Sequence, residues 1–102
     1  MSEVRTPPVK ATYVHDLDIW NLAVLKERPG AFDFYTADGR ERAGMIYICP
    51  CGCGATGALA FRPAPSPSWE WDGNEEAPTL SPSVHHVGHW HGYLRAGIWE
   101  SC

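Results

Sequence analysis

Three cysteines alternate with single residues in the run Cys49-Pro50-Cys51-Gly52-Cys53-Gly54. A disulfide between such close neighbours is strained, so metal ligation is the better use of these thiols. A structural zinc takes four ligands, mostly Cys thiolate and His nitrogen, in a tetrahedron. Gly52 and Gly54 allow the tight turns of a metal knuckle, and Pro50 limits the freedom of the free loop. A second group of donors comes late in the chain. It comprises His85-His86-Val87-Gly88-His89-Trp90-His91 and Cys102. On a strand, His89 and His91 share one face, while His85 and His86 lie on opposite faces, so at most one of the latter two joins. The predicted zinc ligands are Cys51, Cys53, Cys49 and His91, with His89 and Cys102 next. These outnumber the positions on one ion, so the fourth ligand stays open.

The elements that must position these donors read mostly as β. Gly44–Ile48 is a strongly apolar strand that runs into the cysteines, and Ala58–Phe61 returns from them, so the cluster sits at a hairpin tip. Ala31–Tyr35 precedes it across Asp38-Gly39, a hairpin turn signal. Pro63, Pro65 and Pro67 make a stiff connector, and Trp69-Glu70-Trp71 alternates before the turn residues Asp72-Gly73-Asn74. Tyr93–Trp99 folds about Ala96-Gly97 as a last hairpin. Residues 15–28 hold the one predicted helix, capped by Asp16 or Asp18 and stopped by Pro29-Gly30. Pro7-Pro8 keeps residues 1–12 extended as an N-terminal arm, leaving 13–102 as a single zinc-stapled domain. The expected fold is mainly β (small α+β), a hairpin-rich antiparallel sheet with one short N-terminal helix.

Composition bounds the rest. The chain has 102 residues, 44% of them hydrophobic, and a net charge of −4. It is long enough for one domain with a modest core, which a metal would help to hold. Its five tryptophans are read as core and sub-core residues. Its eight basic residues are scattered, so nucleic-acid binding is not expected. No apolar run approaches the ~20 residues of a membrane helix, and the first residues do not resemble a secretory leader. A cytoplasmic protein is expected.

The run at 49–54, a tryptophan at 69 or 71, Thr79-Leu80-Ser81-Pro82-Ser83 and His91-Gly92-Tyr93-Leu94-Arg95-Ala96-Gly97-Ile98 together resemble an uncharacterised family of short phage and bacterial proteins. The resemblance covers about residues 44–102. Some members of that family lie beside genes for ubiquitin-like conjugation. The family usually has a Cys just before the late His, where this chain has Gly88-His89-Trp90, so His89 or Cys102 is the replacement to look for. The resemblance implies a phage-type protein in a bacterial host cytoplasm or virion, or a factor associated with ubiquitin-like conjugation.

Function is weighed on these grounds. The expected role is a zinc-stapled protein-binding module, a virion component or an inhibitor of a host defence protein. The alternative is a small zinc-dependent hydrolase or deaminase-like enzyme. A catalytic zinc needs a nearby general base, and Glu70, Glu75 and Glu76 stand in no recognisable motif. Ser81 and Ser83 with nearby histidines invite a nucleophilic reading, but no Gly-x-Ser-x-Gly elbow is present. They are read instead as turn residues that satisfy backbone groups. The balance of the sequence is against an enzyme, and no catalytic residue is assigned.

Overall fold

The computed structural model describes residues 5–14, 28–65, 67–86 and 89–101. The predicted helix at 15–28 falls almost wholly outside them. Among the described residues there is no helix. There are nine strands: β1 (Val9–Lys10), β2 (Phe32–Ala37), β3 (Arg40–Ile48), β4 (Thr56–Ala60), β5 (Glu70–Trp71), β6 (Leu80–Ser81), β7 (Val84–His86), β8 (Trp90–Arg95) and β9 (Ile98–Ser101). The mainly β, hairpin-rich antiparallel fold is as expected.

Three sheets carry these strands. A four-stranded sheet has the order β1-β9-β8-β7, a three-stranded sheet β2-β3-β4, and a two-stranded sheet β5-β6. Every pairing within them is antiparallel. The turns are those the sequence signals. Asp38 and Gly39 both take positive φ between β2 and β3, as do Ala96 and Gly97 between β8 and β9. Two consecutive positive φ angles match the twist of a tight hairpin.

Alternation along β8 shows how the sheet meets the core. Trp90, Gly92 and Leu94 are buried, whereas His91 and Tyr93 are half-buried and Arg95 is exposed. Side chains two apart share a face, so the first set points inward and the second outward. The core joins Trp90, Leu94, Trp99 and Val84 from the four-stranded sheet to Phe32, Met45 and Tyr47 from the three-stranded one. Trp90 and Trp99 are fully buried and meet edge to face at 5.7 Å. Trp69 and Trp71 only partly enter this core, and Trp20 lies outside the described residues.

The described part of the N-terminal segment, from residue 5, lies against the C-terminal hairpin. β1 pairs with β9. The Thr6 amide donates to Ser101 Oγ at 2.9 Å, and the Trp90 indole N–H donates to Thr6 Oγ1 at 3.1 Å. The indole of a buried tryptophan needs such an acceptor, and the arm supplies it.

Candidate functional site: a serine–histidine pair and a cysteine knuckle

β3 and β4 pair from Gly44↔Ala60 to Ile48↔Thr56, which leaves residues 49–55 as the connecting loop. The cysteines are therefore at the hairpin tip, as expected. Gly52 and Gly54 have φ of 90° and 83°. Side chains other than glycine rarely adopt this region, so each glycine permits the bend that turns a cysteine inward. The Sγ atoms of Cys49, Cys51 and Cys53 all lie within 4.8 Å of one another. Sulfurs bound to one zinc at ~2.3 Å in a tetrahedron sit ~3.8 Å apart. The cluster therefore fits a thiophilic ion with little adjustment.

The thiols differ in environment. Cys49 is fully buried and belongs to the core cluster, and burial pushes its pKa well above the usual thiol value. Its Sγ stands 3.2 Å from that of Cys51, to which it donates. Cys53 is exposed. What burial it has raises its pKa, but the Ala55 N–H donated to its Sγ and hydrogen bonds from the other two thiols outweigh this, so it is net lowered. An apolar floor and a polar, solvent-facing rim are how a metal knuckle sits on a small core.

The late histidines are placed otherwise. β7 and β8 form a hairpin in which Val84 faces Gly92, His85 faces His91 and His86 faces Trp90. His91 points away from the core that Cys49 and Trp90 share. Its Nε2 lies 3.1 Å from Ser83 Oγ, eight residues earlier in the chain. Among the described residues the metal-type cluster contains the three cysteines and neither His89 nor His91. Cys102 lies outside the described residues.

Ser83 sits just before β7 and is held from behind. Its carbonyl accepts the indole N–H of Trp69 at 3.1 Å. Trp69 is itself fixed, since its amide donates to Ala60 O at 2.8 Å and its carbonyl accepts from Arg62 N at 2.9 Å. This chain of bonds runs from the end of β4 to the hydroxyl-bearing residue. Glu70, Trp71, Asp72, Thr79 and Ser81, from β5, β6 and the residues next to them, line a cleft of about 260 Å³.

A hydroxyl within hydrogen-bond reach of an imidazole is the core of a nucleophile and its base. The sequence carried a signal for it in the Ser-Pro-Ser segment and the following histidines. The step missed was that a hairpin between them would bring Ser83 and His91 together.

Comparison with known proteins decides the class. The family model for BubE, described as a bacterial ubiquitination-like system serine protease, matches residues 21–102. The chain belongs to the BubE family. The match reaches further toward the N-terminus than the resemblance noted from the motifs, and it bears out the link to ubiquitin-like conjugation. It overturns the expectation that the chain is not an enzyme, because the BubE family is one of serine proteases. The motif sought was a strand-to-helix elbow, whereas Ser83 lies in the short link between β6 and β7 and meets His91 through the pairing of β7 with β8. No curated protein and no solved structure matches the chain.

Proposed function

We propose that this BubE-family chain is a serine hydrolase that cleaves an acyl bond in a protein substrate of a ubiquitination-like system, with Ser83 as nucleophile and His91 as general base. The 3.1 Å contact between Ser83 Oγ and His91 Nε2 carries the reading. In the first step Ser83 Oγ bonds to the carbonyl carbon and His91 Nε2 takes the hydroxyl proton. As the tetrahedral intermediate collapses, the bond to the leaving group breaks and His91 returns the proton to it. Water, deprotonated by His91, then attacks the acyl-serine, and the proton goes back to Ser83 Oγ as the acid is released.

The cysteine knuckle has a separate role in this reading. Cys49, Cys51 and Cys53 would hold a zinc ion, which would cross-link the β3–β4 loop as a structural staple. His89 and Cys102 are the candidates for its fourth ligand. Trp69 fixes the backbone of the nucleophile.

The test uses a fluorophosphonate, which a catalytic serine attacks with loss of fluoride. Wild type is expected to gain one adduct, which peptide mass spectrometry places on Ser83. Ser83→Ala should gain none, and His91→Ala should label about 10²-fold or more slowly, the usual contribution of a general base. A stable wild-type protein that stays unlabelled, or an adduct on another serine, would sink the assignment.

A further inference from the structure

The contact between Ser83 and His91 leaves one question open, which is what holds the imidazole in place. A histidine ring turns about χ2 in a broad, roughly two-fold well, so packing has to select its orientation. We infer that His85 is the positioning residue for this pair: its ring braces the His91 imidazole so that Nε2 stays on Ser83 Oγ. The inference rests on the Ser83–His91 reading and deepens it.

Three observations carry it. First, His85 and His91 are directly opposed across the β7–β8 pair, so both side chains leave the same face of the sheet. Val84 and Trp90, one residue away on each strand, are fully buried on the other face. Second, the two rings are in contact, with centroids 4.5 Å apart and planes at 34°. Third, Ser83 precedes His85 by two residues, which puts it on the same side of the extended chain. Ser83, His85 and His91 thus form one surface group, with His91 touching both of the others.

The exposures fit this role. His85 is exposed whereas His91 and Ser83 are half-buried. An exposed imidazole lying on a half-buried one limits the room in which the inner ring can turn. A flat aromatic ring of similar width would do the same, and a methyl group would not. Since His85 adds nothing to the buried core, its replacement should leave the fold intact.

The experiment compares fluorophosphonate labelling of wild type, His85→Ala and His85→Phe in the full chain, with Ser83→Ala as background. Histidine side-chain NMR on the same proteins gives the His91 ring shifts. His85→Ala is expected to label about tenfold more slowly, the scale of loss from a misplaced catalytic group. Its His91 ring resonances should shift or broaden while the melting temperature holds. His85→Phe, which restores a flat ring, should regain most of the rate. Wild-type labelling with His85→Ala equally fast would overturn the bracing role. So would a His85→Phe rate as low as that of His85→Ala, because the ring face would then not be what matters. If wild type itself fails to label, the nucleophile assignment falls. The NMR comparison then still decides the bracing, and unchanged His91 resonances in His85→Ala would refute it.

Discussion

At the scale of single residues, the proposed site is a hydroxyl, an imidazole and the indole that anchors the serine. The Trp69 N–H bonded to the Ser83 carbonyl fixes the backbone from which the Ser83 hydroxyl projects. Trp69→Phe keeps the ring and removes only that donor. A net hydrogen bond is worth about 0.5–1.5 kcal/mol, so the loss of stability should be modest. For a domain of this length about 1 kcal/mol is roughly 4–8 °C in Tm. The effect on labelling of Ser83 should be larger in proportion, about tenfold, because a small displacement of a nucleophile is costly. Calorimetry beside the labelling rate checks this. A rate that stays at the wild-type value would show that β7 alone places Ser83. The tryptophans also show what composition conceals. They were read as core and sub-core, and half-buried Trp69 fits that reading, but composition does not show that its indole holds the Ser83 carbonyl.

At the scale of elements, the hairpins were readable because turn residues and alternation are local. Asp38-Gly39, Ala96-Gly97 and the apolar run ending at Ile48 each mark their own structure within a few residues. The cysteine cluster was readable for the same reason. The pairing of Ser83 with His91 was not, because it depends on the register of β7 against β8, and register is set by which residues are buried. Val84 opposite Gly92 places both on the core side and leaves His85, His91 and Ser83 outward. Gly92 is needed on the other side of β8, where β9 packs close. A Cβ there would collide with the Glu100 carbonyl oxygen of the neighbouring strand and with the Trp90 indole. A Cβ at Gly44 would meet only the far end of the Tyr35 ring, which can swing aside. Gly92→Ala should therefore destabilise by about 1–3 kcal/mol or more, as overpacking does. Gly44→Ala should stay within about 1 kcal/mol, since alanine restricts the unfolded chain. Urea denaturation of the two variants side by side gives the comparison. Equal losses would mean that β9 yields at Glu100 and that Gly92 is not required for the close approach of β8 and β9.

At the scale of the whole molecule, Ser83 and His91 border the four-stranded sheet and the cysteines the three-stranded one, and one core joins the two. Cys49 is buried in that core with Val84 and Trp90, which flank Ser83 and His91 in sequence. Removal of a bound zinc can therefore reach the site only by loosening the core, because His91 faces away from the cysteines. Metal analysis of protein purified without a metal-affinity tag should find about one zinc per chain. Cys51→Ser should lose the ion and much of the stability, since metal binding and folding are coupled in small sites. Of Cys102→Ser and His89→Ala, the variant that loses zinc names the fourth ligand. The decisive comparison follows labelling of Ser83 during chelation while circular dichroism follows the fold. For a structural staple, labelling should decline in step with the unfolded fraction. Labelling lost from protein that remains folded would instead place the metal in the chemistry. Absence of metal from fresh, reduced protein would leave the three thiols as a cluster without an ion, and the hairpin tip would then owe its shape to Gly52, Gly54 and the buried Cys49 alone.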